Sequence, residues 1–145
     1  MAEETIDAKR QVEMKNKALV QESCDAWKAG AGTPYDLLAE DMTWTIVGKT
    51  VVPEVYTSKA SFIDGVVKPF ASRLKGPLTP TVHAIYSEGT SVVIRADADG
   101  IAIDGKPYHN SYGWFFELQD NKVTRVVAFL DVAAFNELFE RVTPA

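Results

Sequence analysis

The sequence predicts an α+β domain in which helices pack on one face of a strongly curved antiparallel sheet. The first observation is an amphipathic helical pattern from Glu4 to Ala29, with apolar residues at helical spacing. The second is a change to strand-forming sequence after Lys75-Gly76-Pro77, which lasts almost to the end of the chain. Short turns at Glu88-Gly89, Asp104-Gly105 and Asp120-Asn121 divide this half. Strands joined by such short connections form an antiparallel meander.

Composition limits the classes of protein to which the chain can belong. Its 145 residues, 46% hydrophobic and 24% charged, predict a single domain over residues 1–145. The net charge of -5 argues against nucleic acid as a partner, because phosphates repel an acidic surface. No apolar run reaches membrane-spanning length, and the charged N-terminal segment lacks the apolar core of a secretory signal, so we expect a cytoplasmic protein. The single cysteine, Cys24, excludes an internal disulfide.

A second long helix is predicted from Lys59 to Leu74. Ser58 is a suitable N-cap, and Pro69 should kink the helix or end it early. Between the two long helices we expect a short helical piece at Tyr35–Ala39, a strand at Met42–Val47, and an edge strand or loop at Lys49–Thr57.

The later strands are predicted at Thr79–Tyr86, Ser91–Ile103, Tyr108–Leu118 and Val123–Leu130. Because side chains alternate across a strand, each strand has two faces. The predicted strand Tyr108–Leu118 has an aromatic face and a second face that carries His109, Ser111 and Phe115. We expect the second face to line a pocket and the aromatic one to lie outside against a partner subunit, as in a homodimer. The aromatic face comprises Tyr108, Asn110, Tyr112, Trp114 and Phe116.

Asp131 stands where the last strand ends and the helical sequence VAAFNELFERV begins. Asp is a favoured N-cap residue, since its carboxylate accepts hydrogen bonds from the first free amides of a helix. The same carboxylate can instead point into a cavity enclosed by the sheet, where desolvation would raise its pKa and make it a usable base. Sequence alone leaves both interpretations open.

Several motifs along the chain carry a family resemblance. The clearest are Asp41 to Trp44 followed by Gly48, the Asp104–Tyr108 turn, and the DNKV turn Asp120–Val123 followed eight residues later by Asp131. With these motifs the chain resembles the SnoaL-like and ketosteroid-isomerase-like branch of the NTF2-like superfamily. The resemblance implies a cone-shaped α+β barrel with a deep apolar pocket, covered by N-terminal helices. This fold hosts isomerases, dehydratases, cyclases, hydrolases and binding proteins.

The resemblance also implies candidate catalytic residues. Limonene-epoxide-hydrolase-like enzymes use an Arg-x-Asp pair on a strand with an aspartate after the turn, matched here by Arg95, Asp97 and Asp131. In that chemistry one carboxylate takes a proton from water and the other donates to the leaving oxygen. The family's water-orienting Tyr and Asn are replaced here by Trp44 and Ile46.

Two other branches imply different chemistry. In ketosteroid isomerases an acid donates to the developing enolate, and an ungapped count places Gly113 at that position, so the donor is absent. In SnoaL-like cyclases an aspartate similar to Asp131 serves as acid/base, and its partner here could be His83, Tyr112 or Asn110. His83 is either a pocket base or a core imidazole. With no metal-ligand spacing and no phosphate-binding loop, we expect no metal and no cofactor.

Two hypotheses follow. In the first, the protein is an enzyme in which Asp131 acts as general acid/base on an apolar, oxygen-bearing small molecule, tuned by Arg95 and Asp97. In the second, it is a ligand-binding or assembly module, Asp131 is only a helix cap, and Arg95 and Asp97 form a structural ion pair. In the enzyme hypothesis the cavity is shaped by Trp44, Phe62, Val66, Phe70 and Phe115.

Overall fold

A 27-residue helix, α1 (Ala2–Lys28), begins the fold. The computed structural model describes residues 2–144, and the side chains of residues 5–144. After α1 a 3-10 helix (Pro34–Leu37) leads directly into the first strand. This helix starts and ends earlier than the helical piece predicted at Tyr35–Ala39. Thr33 caps it, accepting a hydrogen bond from the Tyr35 amide at 3.2 Å, and Pro34 suits its first position because proline has no amide hydrogen to satisfy.

Six strands form one sheet in the order β2-β1-β6-β5-β4-β3. The last four strands along the chain are an antiparallel meander, as the short turns predicted. β1 pairs in parallel with β6, so the first strand of the chain lies beside the last strand of the meander. The strands are β1 (Leu38–Ile46), β2 (Val55–Tyr56), β3 (Thr79–Glu88), β4 (Ser91–Ile101), β5 (Pro107–Gln119) and β6 (Lys122–Leu130).

The turn between β5 and β6 consists of Asp120 and Asn121, both with positive φ, of 50° and 66°. Two-residue hairpin turns with positive φ at both positions match the right-handed twist of the flanking strands, and Asp and Asn tolerate this conformation. The turn lies at the predicted Asp120-Asn121, and the flanking strands each extend one residue closer to it than predicted, to Gln119 and from Lys122.

The second helical region is one continuous rod, α2 (Lys59–Phe62), a π-helical segment (Ile63–Val67) and α3 (Lys68–Ala71). Ser58 caps it as predicted, accepting from the Ser61 amide at 3.0 Å. The π-helical segment ends two residues before Pro69, whose ring removes one backbone donor and crowds the previous turn. Gly65 lies in this segment, where a Cβ would stand only 2.9 Å from the Tyr56 ring. The helix ends at Ala71, three residues before the predicted end.

The two faces of β5 are the reverse of those predicted. Tyr108, Asn110, Trp114 and Phe116 are buried on the concave face, whereas Phe115 is 47% exposed on the convex face. The sheet curls around the helices, so the concave face needs the bulky aromatic side chains to fill it. The expected pocket face, with His109, Ser111 and Phe115, is therefore the outer face.

A final helix, α4 (Val132–Arg141), packs on the concave side. Phe135 and Leu138 are its buried residues, and Arg73 fixes its end by donating to the Val142 carbonyl at 3.0 Å. Within residues 2–144, no helix has both the length and the apolar character needed to cross a membrane.

Candidate functional site

A cavity of about 640 Å³ lies between the concave face of the sheet and the helices. Its wall is mostly apolar, and its mouth is formed by the loops that follow α1 and α3. Such a cavity has the size and character of small-molecule sites. The lining residues include Trp27, Lys28, Thr33, Tyr35, Trp44, Ile46, Phe62, Val66, Phe70, Ala71, Pro80, Tyr112, Trp114, Ala128, Leu130 and Phe135.

Stacked rings form the inner wall of the cavity. Trp44 and Phe62 stack at 4.0 Å between ring centroids, with an interplanar angle of 18°. Tyr35 packs edge-on against both of them, at 5.8 Å from Trp44 and 5.6 Å from Phe62. Trp27 stacks on Trp114 at 5.7 Å. Because aromatic rings lose little conformational entropy on binding, this wall is a preformed surface for a flat apolar molecule.

Tyrosine hydroxyls supply polar groups to this wall. Tyr35 and Tyr112 line the cavity, and Tyr108 lies behind them, sharing a hydrogen bond with Tyr112. Burial raises the pKa of Tyr35, and burial together with the neighbouring Tyr108 and Tyr35 raises the pKa of Tyr112. Burial likewise raises the pKa of Tyr108. All three hydroxyls are thus protonated at neutral pH and can donate hydrogen bonds.

Asn110 is fully buried and holds this cluster in place. Its Oδ1 accepts from the backbone amides of Asp131 at 2.9 Å and Ser111 at 2.8 Å. Its Nδ2 donates to the Asp131 carbonyl at 3.1 Å and to Tyr108 Oη at 2.8 Å. Two amide donors fix the carbonyl end of Asn110, so Nδ2 must face Tyr108. Tyr108 therefore accepts from Asn110, and it shares a second hydrogen bond with Tyr112.

Six of the sequence-predicted residues lie together at this cavity: Trp44, Ile46, Phe62, Val66, Phe70 and Tyr112. Asn110 lies one layer behind it. The structure thus places these six residues at one site, and their role in binding stays a prediction.

The predicted catalytic pair on β4 lies on the convex face instead. Arg95 is exposed. Asp97 contacts His83, with Oδ2 to Nε2 at 2.9 Å, rather than Arg95; within residues 5–144 no ion pair joins Arg95 to it. Hydrogen bonds from His83 and Ser111 lower the pKa of Asp97. The predicted Arg95–Asp97 ion pair is therefore wrong, because a histidine on the adjacent strand is closer to the carboxylate.

His109 also lies on the convex face, where its Nδ1 contacts Asp99 Oδ1 at 2.6 Å. This contact raises the pKa of His109. The two histidine-aspartate pairs thus occupy neighbouring strands outside the sheet, away from the cavity. Within the described part of the chain, no group of three or more His, Cys, Asp or Glu side chains is arranged to hold a metal ion.

Asp131 caps α4. Its Oδ1 accepts from the Ala134 amide at 3.2 Å, and its side chain is exposed rather than directed into the cavity. Of the two interpretations open from the sequence, the structure shows the N-cap. The predicted meeting of Arg95, Asp97 and Asp131 in one pocket does not occur, because β4 presents its two side chains to the opposite face of the sheet.

Replacing Asp131 with alanine should lower the free energy of unfolding by about 1 kcal/mol, since the first turn of α4 loses an acceptor. Asp131→Asn should cost less, because asparagine also caps helices. Chemical denaturation of both variants measures these differences. Ligand binding at the cavity should be the same in both, and a large loss of binding in Asp131→Asn would show that the carboxylate serves the site.

The sequence analysis left four residues out of the site: Trp27, Tyr35 and Trp114, which line the cavity, and Tyr108, which lies behind it. Alternation along β5 places Tyr108, Tyr112 and Trp114 on one face, which is the signal that could have found two of them. Tyr35 had a weaker signal, since its inward direction depends on the 3-10 turn that Thr33 and Pro34 start.

Comparison with known sequences gives one match. The SnoaL-like domain model matches residues 20–126 of the chain. No curated protein matches it.

Solved structures share the fold. A candidate isomerase from Bacillus subtilis superposes with a TM-score of 0.70 at 18% identity, covering 90% of this chain and 99% of that one. An NTF2-like protein from Burkholderia thailandensis gives 0.69 at 15% identity, covering 85% and 95%. TerC, co-crystallised with polyporic acid, gives 0.66 at 18% identity, covering 86% and 98%. These similarities confirm the predicted NTF2-like α+β fold.

Proposed function

The chain belongs to the SnoaL-like domain family, and we propose that it binds a flat, apolar, oxygen-bearing small molecule in its aromatic cavity. The observation that carries this proposal is the pairing of stacked rings with buried hydroxyls in one wall. The stacked Trp44 and Phe62 form the buried back of the wall, and the partly buried rings of Trp27 and Tyr35 offer a surface for a planar ring system. Tyr112 offers its hydroxyl to an oxygen on that ring system.

Binding is favoured over acid/base catalysis by the charges at the cavity. Among the described residues that line it there is no Asp, Glu or His, and Lys28 at the mouth is the one ionisable group besides Tyr35 and Tyr112. A general base needs to reach the proton that it removes, and neither Asp131 nor Asp97 lines this space. The occupant is therefore held by ring packing and hydrogen bonds rather than by ion pairing.

Isomerase- or cyclase-type chemistry is the second candidate. The fold is shared with a candidate isomerase and with TerC, and hydroxyl donors in an apolar cavity can stabilise an enolate oxygen. In this chain Tyr112 and Tyr35 are the groups in position to do so. Such a reaction would draw its base from the substrate or from water.

The test is titration with 2-hydroxyanthraquinone, a planar aromatic with carbonyl oxygens. Trp27, Trp44 and Trp114 all line the cavity, so binding should quench tryptophan fluorescence to saturation, with one site by calorimetry. Mass spectrometry of the incubated probe then separates binding from conversion. Absence of saturable quenching would contradict the proposal, and conversion of the probe would favour the second candidate.

We also propose that the convex face of the sheet pairs two copies of the chain. Phe115 and Phe129 meet edge to face there at 5.6 Å and are about half exposed, and Tyr86 is 61% exposed on the same face. Arg95 and Arg125 lie on this face together with Glu117, so a two-fold axis can bring opposite charges together.

Phe115→Ser combined with Phe129→Ser should convert a dimer to a monomer, since the apolar centre of the contact is lost. Light scattering after size exclusion measures the mass. The matched control is Val55→Ser on the edge strand β2, where an apolar residue is similarly exposed and no change of mass is expected. A wild-type protein that is monomeric at high concentration would refute this pairing.

A further inference from the structure

A second, smaller cavity adjoins the mouth of the first. It measures about 320 Å³ and runs between the second half of α1 and the first half of β3. This cavity, here called the polar groove, is lined by Gln21, Cys24, Asp25, Lys28, Pro80, Thr81, Val82, His83, Ala84 and Ile85.

The groove exists because α1 is hydrogen-bonded to the sheet at the far end of β3, away from the groove. Near the N-terminal half of α1, Glu13 Oε2 accepts from the Gly89 amide at 2.8 Å and the Glu13 carbonyl accepts from Ser87 Oγ at 2.8 Å. Near the middle of β3, the pairing with β4 is irregular between Val82 and Ala84, which places His83 in a bulge. Bulges bend a strand and redirect its side chains. The helix and strand thus leave a space at the end nearest the main cavity.

The two spaces share walls. Lys28 and Pro80 line both the aromatic cavity and the polar groove. A molecule seated against Trp27 and Tyr35 can therefore extend through the mouth into the groove without leaving the protein surface.

The side chains of the groove select the kind of group that it can hold. Buried Cys24 and Ile85 form an apolar floor, and the rim carries Gln21, Asp25 and Lys28. Gln21 Nε2 donates to Asp25 Oδ1 at 3.1 Å, which holds the carboxylate over the groove. Asp25 and Lys28 bring one charge of each sign to the rim, so the groove favours an occupant of neither sign, and a neutral group that donates and accepts hydrogen bonds can bond to both.

We propose that the polar groove binds a neutral, hydroxyl-bearing substituent, such as a sugar, of the molecule whose aromatic part occupies the main cavity. This inference rests on the proposed function and adds a class to it: the occupant is an aromatic compound with a polar, uncharged arm. Gln21 and Asp25, on the helix side of the groove, hold the arm by hydrogen bonds.

The test compares 2-hydroxyanthraquinone with its 2-O-β-glucoside on wild type, Gln21→Leu and Asp25→Ala. Both positions are exposed, so the fold should tolerate the changes, and circular dichroism verifies this. The glucoside should bind wild type more tightly than the parent compound. Each groove variant should weaken glucoside binding about fivefold, the effect of one lost hydrogen bond, and leave the parent unchanged. Gln11→Leu, an exposed glutamine of α1 outside the groove, is the matched control.

The outcomes separate the two proposals. If the parent binds but the glucoside is excluded, or if the groove variants bind the glucoside as tightly as wild type does, the groove proposal is overturned and the aromatic site stands. Equal weakening of both compounds by the variants also overturns it, because the effect then reaches the main cavity. If neither compound binds, the proposed function fails and the groove proposal fails with it.

Discussion

Replacing Asn110 with alanine is expected to lower the free energy of unfolding by about 3 kcal/mol or more. The side chain is fully buried and makes four hydrogen bonds, two of them accepted from backbone amides and one donated to a backbone carbonyl. Alanine would leave these groups without partners in a place that water cannot easily reach. The junction between β6 and α4 would then lose the contact that fixes it to β5.

Asn136 provides the matched control. It also bridges backbone groups, accepting from the Val51 amide at 2.9 Å and donating to the Lys49 carbonyl at 2.8 Å, but at the surface. Water can replace these bonds, so Asn136→Ala should cost about 1 kcal/mol or less. Urea denaturation of the two variants measures the difference. Equal losses would show that Asn110 is not a structural centre of the site.

Replacing Tyr112 with phenylalanine should weaken binding of 2-hydroxyanthraquinone about tenfold while leaving the fold intact. The change removes one hydroxyl and keeps the ring that packs on Trp114 at 5.2 Å. Asn110 donates to Tyr108, and Tyr108 shares a hydrogen bond with Tyr112, so this chain holds the Tyr112 hydroxyl in place at the cavity wall. The lost interaction is therefore the end of a short hydrogen-bonded chain.

Tyr86→Phe is the control for this loss, because Tyr86 is 61% exposed on the convex face. It should bind the probe as wild type does. Fluorescence titration of both variants gives the comparison. A Tyr112→Phe protein with wild-type affinity would mean that ring packing alone holds the ligand and that the tyrosine cluster has another purpose.

Much of the fold could be read from local sequence. The helical period placed α1, and the spacing of turn residues placed β3 to β6 within a few residues. The parallel contact between β1 and β6 was not predicted, because no local pattern records which distant strand lies alongside another. The reversed faces of β5 have a similar cause. Alternation divides a strand into two faces, but the curvature of the whole sheet decides which one becomes concave.

The candidate site was predictable only in part. Trp44, Phe62 and Tyr112 were predicted as site residues from the family resemblance and from helical or strand spacing, and they line the cavity. Arg95 and Asp97 matched a family motif in type and spacing, yet β4 places them on the convex face, away from the cavity. The sequence around Asp131 correctly indicated a helix N-cap, because aspartate is a favoured residue immediately before a helix.

The central claim is that the aromatic cavity and its tyrosines, not the aspartates, form the binding site. The most direct measurement is a crystal structure of the protein with 2-hydroxyanthraquinone. We expect the ring system to pack against Trp27 and Tyr35, in front of the Trp44–Phe62 stack, with one of its oxygens within hydrogen-bonding distance of Tyr112 Oη. A probe bound instead beside Asp97 or Asp131, with the cavity empty, would contradict this account.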